Sequence, residues 1–522
     1  MVLPHGIPLA VHLISTFYGD LCSKVCECLL RRGTLTSAQI IRFTGLSKEH
    51  VFNCLRVLTH QNCVQAFTIQ QEGAIGDAPR IFTHYMAIFD NIINKLRATK
   101  FMHIVSEELG EDCLDIFQGL IQHGRLSLDQ IIDRVNQKTG SSNVEAVHNS
   151  FRRLLSARFI ERCPAPEPFL APLTEEETRA KKRGAKSGKI AEQQTIEQRA
   201  LAAAAPAESM RFAMEIGDIS ERMGEESTNS PTVGEKRKKD VSKSDEDVLD
   251  RRKEVLWRVN FEEFVLRLLH KACISYVKTR INNEASIVLS AILDLSQQSE
   301  TRLKAEKSPY LSINDIYDEV IKKDGGVGMD LERVQTSLDQ LGCQTLSTDI
   351  DESYSVDIKS IIQMAQNEEV ESMILKRYGK EAYRIFRLLS KAGRLVETDK
   401  ISDSTFVEKK ETVQILFKLW KDEYLHMEKI TTTGARQSTF NLWKVDQQRL
   451  GGTFLDEMYH ALLNLRLRII YEQERGKEAI LLPNDKHDDK QQNKFMIYRV
   501  VRATLERSLM NLDEAVVLFH HF

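Results

Sequence analysis

Leu29-Leu30-Arg31-Arg32-Gly33-Thr34-Leu35-Thr36-Ser37 is the stretch on which the fold turns. An apolar-periodic segment over residues 13–30 predicts a helix that stops at the glycine, and a brief extended step follows. Ser37 is expected to cap a short helix ending at Gly45, and Ser47 the next one, because a side-chain oxygen there satisfies a free helical N–H. That next helix carries Val51, Leu55 and Leu58 at i, i+4 and i+7, one buried stripe. Residues 64–69 and 81–85 then read as two strands around a loop of Gly, Asp and Pro. Helix, short strand, helix, turn, helix and two strands is the order of a winged helix.

The phrase Gly-x-Leu returns as Gly124-Arg125-Leu126 and Gly393-Arg394-Leu395, each time after one amphipathic helix and before two more. The second unit is expected at 99–172, with Val144, Val147, Phe151 and Leu154 as its helical stripe and Cys163-Pro164-Ala165-Pro166-Glu167-Pro168 closing it. A third unit, 251–366, opens with a helix pair at 257–279 and 284–295, and Pro309-Tyr310-Leu311 stands where the phrase has degenerated. Asp330 would cap its last helix, which carries Leu331, Val334, Leu338 and Leu341. The fourth unit, 367–450, has Val413, Leu416, Phe417 and Trp420 expected to face inward, and wing strands at 428–433 and 438–445 joined through Gly434-Ala435-Arg436.

Two other segments lie outside this repeat. Residues 173–250 are densely charged and almost free of aromatics; they cannot bury enough surface to offset ordering entropy and are expected to be a disordered linker, with only transient helix over 190–214. In 451–522, Leu455, Met458, Leu462, Leu465 and Ile469 follow 3-4 spacing, and Leu505, Leu509, Leu512 and Val516 repeat it after a polar loop. The predicted architecture is therefore mainly α with small β wings. Four tandem winged helices, the first at 1–98, are followed by a C-terminal antiparallel helical hairpin with a coiled-coil seam, read as the partner-binding element.

Across 522 residues, 72 Lys+Arg against 75 Asp+Glu leave a formal charge of −3. A freestanding DNA binder draws its affinity from a basic excess, so any contact with DNA here is expected to be weak, non-specific and arranged by other proteins. The nine cysteines include no CxxC pair; Cys22, Cys26 and Cys28 are expected to be small buried side chains. Neither a signal peptide nor a membrane span is recognisable. Gly184-Ala185-Lys186-Ser187-Gly188-Lys189 imitates a phosphate loop, but its glycine spacing is short and Ile190 replaces the Ser/Thr. With no nucleophile elbow or metal-ligand spacing, neither catalytic activity nor a cofactor is expected.

Two winged helices, a charged linker, two more and a helical hairpin resemble the family of the third-largest subunit of eukaryotic RNA polymerase III, distantly related to the large subunit of TFIIE. The resemblance spans essentially the whole chain. It is carried by residues 14–31, by Gly33-Thr34-Leu35, and above all by Leu256-Trp257-Arg258-Val259-Asn260-Phe261-Glu262-Glu263-Phe264. The resemblance implies a non-catalytic, nuclear subunit on the polymerase clamp, partnered by two smaller subunits of a heterotrimer and by TFIIIB. It also implies a part in promoter recruitment and in stabilising open promoter DNA. A winged-helix scaffold of another nuclear complex and a freestanding DNA-binding regulator are the alternatives.

Candidate DNA contacts follow from helix and wing chemistry. The third helix of a winged helix needs Arg, Lys, Asn or Gln outward, and Arg152, Arg153 and Arg158 make the second unit the best supplied. Lys429, Arg436 and Lys444 accompany Phe440 and Trp443 on the fourth wing, a basic surface with aromatics. Phe440 and Trp443, three apart, fall on opposite strand faces, so at most one of them is buried. Lys236-Arg237-Lys238-Lys239 has the makeup of a nuclear localisation segment.

Overall fold

The computed structural model describes residues 2–71, 80–139, 144–170, 195–214, 255–298, 306–347, 352–432, 438–480 and 489–521. Residues 10–264 form one compact unit; residues 3–9 with 265–522 form another. Arg436, the basic tetramer Lys236–Lys239, the phosphate-loop mimic and most of the expected linker lie outside the described residues. No described helix is long and apolar enough to cross a membrane.

In the 10–264 unit, the single helix expected over 13–30 is two, Gly6–Tyr18 and Asp20–Arg32, because Gly19 sits at φ +86° and breaks it. β1 (Leu35–Thr36) leads into helix Ser37–Thr44, whose cap is Thr36 and not Ser37. The Thr36 side chain accepts from the Gln39 N–H while the Gln39 side chain accepts from the Thr36 N–H. Helix Lys48–His60, capped by Ser47, buries Val51, Leu55 and Leu58. β2 (Val64–Gln71) and β3 (Arg80–Ala87) form the wing, in sheet order β1-β3-β2 with Leu35 opposite Tyr85.

The second set repeats that order up to its wing and then departs from it. Helix Glu111–His123 is followed by β4 (Leu126–Ser127), helices Leu128–Thr139 and Val144–Ser156, and β5 (Ile160–Arg162). The next residues leave the domain. β6 (Phe169–Leu170) runs parallel to β2, with the Thr68 N–H donating to Pro168 O at 2.9 Å. The proline-rich stretch therefore fastens onto the first wing and does not close the second.

The missing strand comes from beyond the linker. β7 (Leu256–Val259) lies between β4 and β5, Trp257 opposite Leu126 and Arg258 opposite Glu161. A helix was expected from Trp257; the residues form a strand because they alternate, Trp257 and Val259 inward, and the helix starts only at Phe261. Phe264 lies 4.8, 5.0 and 4.6 Å from the rings of Phe101, Phe117 and Phe159, so the boundary expected at 250 falls at 264.

The expectation for 195–214 is also corrected: the helix there is packed and not transient. Helix Ile196–Ala204 has a Thr195–Gln198 capping box, and Ala200 joins Phe67, Met86 and Leu170 in one apolar cluster. Alanine adds little hydrophobicity to a composition count, yet it lets a helix backbone approach Phe67 closely at almost no side-chain entropy cost. Helix Glu208–Arg211 follows, and Arg211 reaches the buried carboxylate of Glu161 at 2.5 Å; Arg258 binds the other oxygen at 2.8 Å.

In the other unit the order recurs twice. Helix Asn283–Gln298, β8 (Leu311–Ser312), helices Ile313–Lys322 and Leu331–Gln340, β9 (Gln344–Ser347) and β10 (Glu352–Ser355) form the first of these, with Leu311 opposite Tyr354. Asp330 occupies the cap position of Leu331–Gln340, but its side chain makes no capping bond. Helix Lys380–Ala392, β11 (Val396–Glu397), helices Thr398–Thr405 and Lys409–Lys421, β12 (His426–Thr432) and β13 (Ser438–Lys444) form the last, with Val396 opposite Trp443. In each set an aromatic on the middle strand faces an apolar residue on the short one.

On helix Lys409–Lys421 Leu416 is buried as expected, but its inward neighbours are Thr412 and Leu419, which corrects the rest of the expected face. Val413, Phe417 and Trp420 remain 38–43% exposed.

Helices Gln447–Ile480 and Asp489–His520 pack antiparallel: Phe454 meets Phe519 at 5.0 Å, and a Cβ on Gly476 would lie 2.6 Å from the Tyr498 ring. Leu455, Met458, Leu462, Ile469 and Val516 are buried, with Leu465, Leu505, Leu509 and Leu512 half-buried. The stripe read as a partner-binding seam is filled within the chain, because each helix finds its complement in the other.

Candidate nucleic-acid and docking surfaces

A densely bonded polar site joins the first two winged helices. Helix Lys48–His60 ends in Gln61 and Asn62, the latter at φ +58°. The Gln61 amide donates to Gln122 O at 3.0 Å, and its oxygen accepts from Tyr18 Oη and Lys95 Nζ at 2.9 and 3.1 Å. The Asn62 oxygen accepts from Arg125 Nε at 2.9 Å, and its amide nitrogen reaches Gly124 O at 3.3 Å. Burial lowers the Lys95 pKa, and it lowers that of Arg125 as well. Gly124, at φ +85°, lies so close that a Cβ would sit 2.4 Å from His60 O.

At this junction the surface opens into a cavity of about 430 Å³ lined by Arg56, Val57, His60, Gln61 and His123. Arg56 and His60 lie on the outer side of the first unit's third helix. The residues came from separate units, so their meeting could not be read from spacing; Gly124-Arg125 pointed only to a helix end.

Within each of the two compact units the described candidate DNA contacts are divided between different surfaces. Arg152 and Arg153 are exposed on the outer side of helix Val144–Ser156. Arg158 is elsewhere: at φ +58° it turns onto Phe212, its guanidinium 5.5 Å from the ring centre. On the fourth wing Lys429 is exposed and pairs in register with Asn441, on the Trp443 face; Lys444 lies on the other face, 3.9 Å from Glu428. Trp443 is buried, its Nε1 donating to Thr398 Oγ1 at 2.9 Å, and Phe440 is exposed beside Ile430. The third unit's third helix offers Glu332 and Asp339, with Arg333 3.6 Å from Glu284.

Cys22, Cys26 and Cys28 are buried as expected, and burial pushes the Cys22 thiol up to about 12. Burial raises the other two thiols as well, and the Arg32 charge beside Cys28 opposes this only in part.

Comparison with known proteins identifies the assembly. A family model described as RNA polymerase III subunit RPC82 matches residues 149–387, and the helix-turn-helix domain of that subunit matches 8–68. A model of the POLR3C C-terminal winged-helix domain matches 370–445. The chain belongs to the RPC82 family of RNA polymerase III subunits.

Relatives bear this out over nearly full length. The chain is 21% identical to the Dictyostelium discoideum protein named DNA-directed RNA polymerase III subunit rpc3, over 98% of this chain and 99% of that one. The Bos taurus and Homo sapiens proteins named RPC3 are each 21% identical over 91% of this chain, and over 86% and 85% of their own lengths. The chain is thus an auxiliary subunit of RNA polymerase III and not the catalytic one. The matched regions include both the 149–170 stretch and β7, the two sides of the split wing.

Proposed function

We propose that this subunit seats on the polymerase clamp together with the two smaller subunits of its heterotrimer, in the nucleus. There it helps TFIIIB recruit the enzyme to promoters of small untranslated RNAs (tRNA, 5S rRNA) and helps hold melted DNA open. One observation carries the docking part of this reading. The C-terminal helix pair buries its Phe454–Phe519 end but leaves Leu467, Tyr471, Ile497 and Val500 exposed farther along. Such large apolar side chains left to water along one stretch of a helix pair support a surface that a protein partner covers. The near-neutral charge fits a protein held by such contacts, whose few outward cations act at high effective concentration near DNA.

Tagged full-length chain purified from nuclear extract at moderate salt tests the reading by mass spectrometry. Polymerase subunits are expected with the full chain and absent when Thr453–Phe522 is removed. A variant carrying Leu467→Ser, Tyr471→Ser, Ile497→Ser and Val500→Ser leaves the buried seam intact and is expected to lose them too. Full recovery with that variant would contradict docking through the helix pair; no polymerase with any form would remove the clamp reading.

A further inference from the structure

We propose that the outer face of helix Lys409–Lys421, in the fourth winged helix, is a docking surface for an acidic amphipathic helix of another protein in the polymerase assembly. Val413, Phe417 and Trp420 stand at i, i+4 and i+7 and are all exposed, an apolar stripe about 10 Å long. Phe417 ties it to the fold: its ring meets Trp420 at 6.2 Å and the buried Trp443 at 5.3 Å, both edge-on. The turn that leads into the helix adds Phe406, 93% exposed at φ +55°. A bulky side chain in the left-handed region with its ring in water is favoured neither by backbone sterics nor by the hydrophobic effect. Such an outlier points to a function that the free protein does not show.

The rim of this stripe is positive. Lys410 lies three residues before Val413 and Lys421 four after Phe417, so helical phase puts one lysine at each end of the same side. Lys429 stands on the wing face that carries Trp443. All three are exposed, and among the described residues none of them forms an ion pair. The neighbouring acids are turned away or taken. Glu411 shares the other flank of the helix with Ile415 and Lys418, and Asp422 accepts from Tyr378 Oη at 2.5 Å. Asp399 pairs with Lys409 at 3.4 Å, and Glu428 with His426 and Lys444 at 3.4 and 3.9 Å.

Charge and shape together choose the occupant. A third helix that reads DNA turns Arg, Lys, Asn or Gln outward, and here two aromatics and a valine take those places. A second copy of the chain, meeting this face with its own, would set Lys410 and Lys421 against their equals. A helix with apolar residues at i, i+3 or i+4 and i+7 covers the stripe, and carboxylates along its edges reach the lysines. This goes beyond the docking proposed above, which uses the C-terminal helix pair and not this winged helix.

The test uses purified RNA polymerase III, alone and on promoter DNA, with a photoreactive benzoylphenylalanine in place of Trp420. Mass spectrometry of the adduct is expected to give one peptide of another protein, with aliphatic or aromatic residues at helical spacing and Asp or Glu beside them. That peptide, synthesised and labelled, should bind the full-length chain in fluorescence anisotropy. Val413→Ser/Trp420→Ser should weaken binding at least about 10-fold. Lys410→Glu/Lys421→Glu should weaken it about 3–10-fold, more at low salt than at high. Both variants should keep the wild-type melting temperature, because none of these side chains is buried. Adducts only to DNA, to a second copy of the chain or to a peptide without acidic residues would overturn the proposal, as would no adduct at all. Wild-type affinity in both variants would overturn it too.

Discussion

Gly124-Arg125-Leu126 and Gly393-Arg394-Leu395 are the same three residues at the same place in two winged helices, and the structure uses them differently. Gly124 is pressed against the backbone of His60, Arg125 is buried on Asn62, and Leu126 pairs with Trp257. A Cβ on Gly393 would meet nothing within 4 Å, Arg394 is exposed, and the strand starts one residue later with Val396 opposite Trp443. The shared part is the helix end and the pairing of a short strand with an aromatic. What differs is what lies outside the unit: the first copy is a docking point for a neighbouring winged helix, the second a surface turn.

The aromatics extend the comparison. Trp257 meets Phe151 edge-on at 5.1 Å and 83°, and Trp443 meets Phe417 at 5.3 Å and 89°. One packing unit is thus built from residues of a single hairpin and the helix before it, and again from residues on the two sides of the linker. The strand that completes the second wing arrives only after the first wing has been fastened by β6 and by helix Ile196–Ala204.

Trp257→Ala should have the largest effect, about 3–5 kcal/mol on the 10–264 unit, as for other buried aromatics. Urea unfolding followed by exchange of the Phe151 region would show it; an effect below about 1 kcal/mol would mean that β7 is peripheral to that core. Gly124→Ala forces an L side chain into positive φ and against a carbonyl oxygen, for a total of about 2–5 kcal/mol. Gly393→Ala incurs the left-handed backbone alone, about 1 kcal/mol. Equal melting-temperature losses in the two variants would break the contrast between docking point and surface turn. Arg211→Ala, the mildest in the second unit, leaves Glu161 with Arg258 only and should cost about 1–3 kcal/mol. Limited proteolysis should then cut 195–214 sooner than in the wild type; unchanged cutting would show that this segment is held without Arg211, by Ala200 packing and the hydrogen bonds from Arg162 to Ala213 O and from Ala165 to Ala204 O.

How much was legible follows the same line. The fourth unit could be read closely because its partners are local: β12 and β13 adjoin, and helix Lys409–Lys421 precedes them. Even there, Val413 and Trp420 misled and Phe417 is only half inward, its ring on Trp443, since apolar spacing does not say whether a stripe faces a core or a partner. In the second unit the strand partner of Glu161 is Arg258, and no local pattern joins them; the alternation in Leu256-Trp257-Arg258-Val259 was the available signal. Thr36 took the cap from Ser37 because Gln39 stands three residues after it, which completes the box. Among the basic candidates, Arg152 and Arg153 were legible from helix phase, whereas Arg158 was turned away by a positive φ. The cavity at Arg56 was missed because the residue types are ordinary and only their meeting is informative.

The central claim is that one winged helix is completed across the linker, and hydrogen exchange of the full-length chain tests it most directly. Amides of 256–260 should be protected with those of 126–127 and 160–162, and all three should lose protection in one cooperative step as denaturant rises. Exchange of 256–260 at the rate of an unstructured chain, with 126–127 and 160–162 still protected, would contradict it.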